Sequence, residues 1–140
     1  MLFVVVWAPD ASATQGGAVT ISTQKPFGPS PGTFAATGAI SDSGTFFNLS
    51  IAFGGLGAPS FVSIHATQEF DGALGSFTIR ADIKETVTAD PNVATDEGTW
   101  AVISGTGAYS SLTGQGQVTG TANESTGVIS RTYSGTVRFG

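Results

Sequence analysis

The chain has 140 residues, a formal net charge of −5 and only five basic side chains, which are scattered rather than clustered. No basic patch is available to bind a nucleic-acid backbone, and the absence of cysteine excludes disulfides, thiolate nucleophiles and thiolate metal sites. This length suits one domain with its own core, and 20 glycines with abundant Thr, Ser and Ala favour an all-β fold.

The chain begins with an apolar segment, MLFVVVWAPDASATQ, which we separate as residues 1–15 from a domain predicted over residues 16–140. After the apolar run, the small residues Ala11 and Ala13 match what signal peptidase cleaves, and we interpret the segment as the remnant of a secretory signal. A secreted or cell-surface protein is then expected. In the alternative, Leu2–Trp7 is a buried first strand and the protein is cytoplasmic. The run is far shorter than the roughly 20 residues that span a bilayer, so no membrane span is expected.

The remainder divides into short strand-like runs separated by Gly, Pro, Asn and Asp turn signals. No window carries a helical stripe longer than about two turns, so little helix is expected. The predicted strands are residues 18–23, 33–40, 45–53, 60–70, 76–87, 99–105, 115–122 and 128–139.

The connections between these strands are too short for helical crossovers. QKPFGPSPG at 24–32 is a loop because its prolines do not fit a central strand, SDSG at 41–44 is a predicted turn, and 88–98 is a predicted loop. Successive strands then pair antiparallel, and eight of them close economically into a barrel that leaves no exposed edge. We predict a single eight-stranded antiparallel up-and-down β-barrel, with a β-sandwich as the alternative.

Period-two alternation suggests which side chains face the interior. Within residues 45–53, Phe47 and every second residue to Phe53 are apolar, and Phe77 begins a similar series in the strand at 76–87. The predicted contacts to a small hydrophobic ligand are Phe47, Leu49, Ile51, Phe77, Ile79, Trp100 and Tyr133. In the alternative, these side chains fill the barrel and leave no cavity.

The glycine-rich stretch GTGAYSSLTG at 105–114 follows a predicted strand, as a phosphate-binding loop would. It lacks the lysine and the following helix that such a loop requires. We therefore predict a tight return, in which Gly105 and Gly107 adopt positive φ angles while Tyr109 and Leu112 pack inward as a plug.

Four side chains are candidates for acid-base chemistry. His65 and Glu69 share one face of their strand but lie about 13 Å apart, so they do not form a dyad. His65 either acts alone as a general acid or base or is a surface residue. Arg80 is placed to pair with Glu69 across a hairpin, either at the barrel mouth or as a surface ion pair. Tyr133 either points its hydroxyl into the cavity or packs with it against a loop carbonyl.

No metal ion or other cofactor is expected. A lone histidine does not build a multi-histidine site, and the acidic group Asp90, Asp96 and Glu97 lacks the ligand spacing of an EF-hand. We interpret this acidic group as a solvated loop.

Three stretches carry a family resemblance: GSFTIR at 75–80, GTWAVISGTGAYSSLTGQGQVTG at 98–120 and YSGTV at 133–137. They resemble the allene oxide cyclase barrel-like group of small bacterial proteins and, more remotely, plant allene oxide cyclases, dirigent proteins and β-barrel polyketide cyclases. The similarity covers roughly residues 32–140. It implies an eight-stranded barrel with an apolar cavity, assembled as a homo-oligomer, a dimer or trimer. The shared motif is a signature of the fold and assigns no catalytic residue.

These observations predict a small β-barrel that binds an apolar ligand, or an isomerase or cyclase that folds a hydrophobic substrate in the same cavity. The alternative is a non-enzymatic, secreted structural or surface-assembly protein. A measurable cavity distinguishes the first two functions from the third. A buried polar group with a shifted pKa inside that cavity distinguishes an enzyme from a binding protein.

Overall fold

The computed structural model describes residues 12–13, 15–55 and 60–140. Most of the predicted signal segment, and with it the alternative strand Leu2–Trp7, lies outside the described residues. Within that segment, the two-residue strand β1 (Ser12–Ala13) pairs with residues 40–41. No helix among the described residues has the length and apolar character needed to cross a bilayer.

Eight longer antiparallel strands follow: β2 (Gly16–Pro26), β3 (Gly32–Gly38), β4 (Ile40–Gly54), β5 (Phe61–Gly72), β6 (Ser76–Val87), β7 (Val93–Gly105), β8 (Leu112–Asn123) and β9 (Val128–Phe139). Each pairs with its neighbours in sequence, and β2 also pairs with β9, which closes the ring. A single 3-10 turn, Gly107–Tyr109, is the one helical element among the described residues. The predicted eight-stranded barrel is confirmed, and the sandwich is excluded because the ring is continuous.

Three predicted connections are wrong in detail. The predicted loop at 24–32 is shorter at both ends, because residues 24–26 pair with β9 within β2 and Gly32 begins β3. The predicted loop at 88–98 is shorter than expected because β7 begins at Val93. At residues 41–44, a predicted turn, and at residues 93–98, Asp and Gly residues sit inside a paired strand, where ladder hydrogen bonds and burial outweigh their preference for turns.

The glycine-rich loop closes one end of the barrel, which we call the closed end. Gly107 has a φ of +58°, as expected for a tight return, whereas Gly105 is not in the left-handed region. Tyr109 and Leu112 are buried, as predicted for a plug. The Tyr109 hydroxyl donates a 2.5 Å hydrogen bond to a carboxylate oxygen of Asp42, which also accepts backbone N–H groups from the β5–β6 turn.

Above the closed end, aromatic rings fill the middle of the barrel. Phe70 stacks on Phe77 at a centroid distance of 4.8 Å, and Phe34 meets Phe70 edge to face at 5.3 Å. Trp100 faces Gly116 across the β7–β8 pair, and its indole N–H donates to the carbonyl oxygens of Gln117 and Ser134 at 3.1 and 3.2 Å. This half of the barrel is therefore packed with side chains.

Candidate functional site

The opposite end of the barrel is open and contains a cavity of about 560 Å³, which we call the mouth cavity. That volume lies within the range of small-molecule sites. Its wall is mainly apolar, with a few charged or polar side chains among the apolar ones. It is lined by Lys25, Phe27, Gly28, Pro29, Asn48, Ile51, Phe53, Ile64, Glu85, Ala122, Ile129 and Arg131.

A β-bulge in β4 shapes this cavity. Asn48 pairs with Gln68 but Ser50 pairs with Thr67, so Leu49 is an extra residue in the strand. A one-residue insertion reverses the alternation of side chains beyond it. Ile51 pairs with buried Ala66 and Phe53 pairs with buried Ile64, so both side chains face the interior. Both line the mouth cavity.

Part of the predicted ligand wall is wrong in the region of this bulge. Phe47 pairs with Glu69 on the outer face, and Leu49 is exposed to solvent, so their predicted inward orientation is wrong. Ile51 lines the mouth cavity, as the predicted wall requires. The other predicted wall residues are buried in the packed half and do not line the mouth cavity: Phe77, Ile79, Trp100 and Tyr133.

Three of the four acid-base candidates lie on the outer face of the barrel. His65 is exposed and its Nδ1 is 2.7 Å from Asp82 Oδ1. Arg80 Nε is 3.9 Å from the same carboxyl group, and the expected Arg80–Glu69 pair is not among the ion pairs of the described residues. The pKa of Glu69 is raised by partial burial and by neighbouring Asp71. None of these three faces the mouth cavity.

Tyr133 lies inside the barrel, fully buried, but its hydroxyl reaches neither the cavity nor a loop carbonyl. It donates a 2.8 Å hydrogen bond to Gln68 Oε1, and Gln68 Nε2 donates a 3.0 Å bond to Asn48 Oδ1. Burial raises the pKa of the Tyr133 hydroxyl. This chain of hydrogen bonds links the packed half to Asn48, which lines the mouth cavity.

A cluster of charged side chains occupies the mouth half of the interior. Arg131 Nε donates a 2.8 Å bond to Asp96 Oδ2, and Arg131 Nη2 is 3.9 Å from Glu85 Oε2. Asp96 is almost fully buried, which corrects its assignment to a solvated loop. Its other oxygen, Oδ1, is buried with no hydrogen-bond partner among the described residues.

Glu85 faces Asp96 directly across the β6–β7 pair. The pKa of Glu85 is raised to about 7, first by burial, then by a hydrogen bond to Asp96 and by the charge of Asp96, against the opposing effect of Arg131. Two carboxyl groups form a hydrogen bond only if one carries a proton. In its protonated form Glu85 can donate to Asp96, whose Oδ2 already accepts from Arg131 Nε.

Lys25 completes the cluster from β2. Its Nζ donates hydrogen bonds to the carbonyl oxygens of Pro26 at 3.1 Å and Gly28 at 2.5 Å. Burial and the nearby charge of Arg131 lower the pKa of Lys25. Among the ion pairs of residues 15–55 and 60–140, no carboxylate neutralises this ammonium group.

The sequence analysis missed these polar residues as a site, although a signal for them was present. Lys25 and Glu85 follow an alternating series of buried residues in their strands, and Arg131 precedes such a series in β9. Charged residues at the mouth-side end of inward-facing series on several strands indicate a polar interior at one end of a barrel. That pattern becomes informative only once the inward face of each strand is known.

Comparison with protein-family models, curated proteins and solved structures finds no match to this chain. Among the described residues, no group of three or more His, Cys, Asp or Glu side chains is arranged to hold a metal ion.

Proposed function

We propose that the protein binds a small, mainly apolar molecule in the mouth cavity. The observation that carries this proposal is unburied apolar surface at the cavity. Of the six large apolar side chains exposed among the described residues, three line the cavity: Phe27, Ile51 and Phe53. A ligand there would remove apolar surface from water, at roughly 25 cal/mol for each Å² buried.

The polar groups of the cavity support orientation of the ligand. Asn48 is held by the hydrogen-bond chain from Tyr133, and Arg131 is held by Asp96. Polar groups fixed in this way orient a ligand at little entropic cost because they are already ordered.

A second function, an isomerase or cyclase acting in the same cavity, is favoured by Glu85. A carboxyl group with a pKa of about 7 can donate or accept a proton near neutral pH, and Glu85 lines the cavity. In this proposal the apolar wall holds a flexible substrate in a reactive conformer while Glu85 transfers the proton. Loss of turnover in Glu85→Gln with ligand binding retained would support an enzyme.

Binding is tested with the neutral fluorescent probe N-phenyl-naphthylamine. Ala122 lines the cavity, so Ala122→Phe should fill it and weaken probe binding by about tenfold or more. The matched control is Ala52→Phe, which adds the same ring on the outer face, opposite His65. Native mass spectrometry of the purified protein should detect any retained ligand. Failure of the probe to bind the unmodified protein would count against a ligand cavity and favour a structural or assembly role.

A further inference from the structure

Two of the few basic side chains of this acidic chain lie at the mouth cavity. The chain carries a formal net charge of −5 and has only five basic side chains, yet two of them, Lys25 and Arg131, are buried beside the cavity. The other three, Arg80, Lys84 and Arg138, are exposed. Burying a cation is costly unless it is compensated, so this placement requires a reason.

The positive charges of Lys25 and Arg131 are only partly neutralised by carboxylates of the described residues. Arg131 is paired with Asp96, but Lys25 is bound only by two carbonyl oxygens. An ammonium group has three N–H donors, which leaves one for another acceptor. While Glu85 is protonated, Lys25, Arg131 and Asp96 together leave about one positive charge in the cluster.

We infer that the ligand of the mouth cavity is an organic anion, with an apolar body against Ile51 and Phe53 and a single acidic head group against Lys25 and Arg131. This inference rests on the proposed binding function and specifies its ligand class. The cavity wall can contact both the apolar body and the acidic head group of such a ligand, because apolar and cationic residues line the same cavity.

Glu85 makes this binding depend on pH. The charged or titratable groups around it are Asp96 on β7, Arg131 on β9, Glu124 in the β8–β9 turn and Lys25 on β2. When Glu85 loses its proton, a negative charge appears beside the bound head group. Affinity for an anion therefore falls as the pH rises through about 7, whereas affinity for a neutral ligand does not change.

The test compares two probes that share one skeleton. Anilinonaphthalene sulfonate carries a sulfonate that N-phenyl-naphthylamine lacks, and the sulfonate stays ionised throughout the pH range used. We expect the sulfonate to bind more tightly than the neutral probe, and about fivefold more weakly at pH 8 than at pH 6. Lys25→Met should weaken sulfonate binding by about tenfold or more and change binding of the neutral probe by less than about twofold.

Two variants serve as controls for Lys25→Met. Lys84→Met removes the same charge from the outer face, where Lys84 lies over the Phe61 ring, and should leave both affinities unchanged. Lys25→Arg keeps the charge and should retain sulfonate binding, which separates loss of charge from loss of fold. Equal binding of both probes, unaffected by Lys25→Met, would overturn the anion inference and leave the binding function intact. Binding of neither probe would overturn both.

Discussion

Asp42 and Glu85 are carboxyl groups at opposite ends of the barrel interior, and their surroundings give them different roles. Asp42 accepts hydrogen bonds from backbone N–H groups of Ser43, Ala73 and Leu74 and from the Tyr109 hydroxyl. A carboxylate supplied with four donors holds the closed end together. Burial and the bond to Asp42 raise the pKa of the Tyr109 hydroxyl, so it remains a donor.

Glu85 instead faces another carboxyl group, and its ionisation opposes folding. Its pKa is about 7 in the folded protein, against a usual value of 4.5. Between these two values the unfolded chain releases the proton while the folded chain keeps it. The free energy of unfolding therefore decreases as the pH rises from about 4.5 to about 7, and this contribution is fully present only below that range.

Glu85→Gln should remove this pH dependence, because glutamine stays neutral and can donate an N–H to Asp96 Oδ1. Relative to the unmodified protein, the variant should gain on the order of 2 kcal/mol between about pH 4.5 and about pH 7.5, at roughly 1.4 kcal/mol for each pKa unit, less solvent screening. Urea denaturation at a series of pH values measures this difference. Parallel stability curves for the two proteins would show that Glu85 is not held protonated by the fold.

The glycine-rich loop between β7 and β8 depends on one backbone conformation. Gly107 has a positive φ, and a Cβ there would lie 2.6 Å from the carbonyl oxygen of Leu74. Gly107→Val should lower the free energy of unfolding by about 2 kcal/mol or more, because β-branched residues strongly disfavour this region.

The adjacent substitution Ala108→Val is the matched control for the loop. Ala108 is exposed and does not have a positive φ, so the same side chain should change stability by less than about 0.5 kcal/mol. Chemical denaturation of both variants provides the measurement. Equal stability of the two variants would mean that the loop tolerates a different backbone path.

The strands themselves illustrate what could be predicted from the sequence. Strand-like runs between turn signals located all eight, and alternation gave the correct inward face of β6, where Phe77 and Ile79 are buried. The inward face of β4 was wrong at Phe47 and Leu49 because the bulge has no Gly or Pro to mark it. The mouth cavity was only partly predictable. Glu85 on β6 and Arg131 on β9 come close in space because the pairing of β2 with β9 closes the ring, and the sequence alone does not give that contact.

The barrel combines a packed half with an open half. Aromatic rings, the Tyr109 plug and Trp100 fill the closed end and the middle, whereas the mouth encloses about 560 Å³. A filled half keeps the ring rigid while the other half leaves room for a ligand. Secretion and assembly as a dimer or trimer stay predictions of the sequence.

This division predicts unequal local stability along a single strand. In β9, the amides near Tyr133 and Val137 lie beside the packed core, whereas those near Ile129 border the cavity. Native-state hydrogen exchange should be at least about tenfold slower in the first group, because local opening there must disrupt the aromatic core.

Saturating N-phenyl-naphthylamine should then slow exchange near Ile129 and leave the packed half unchanged, because a ligand stabilises the conformations that bind it. The amides at the two ends of β9 serve as controls for each other, because both ends of this strand are paired with β2 and with β8. Uniform protection along β9 without the probe would contradict the division into a packed half and an open half. Protection by the probe confined to the closed end would contradict the assignment of binding to the mouth.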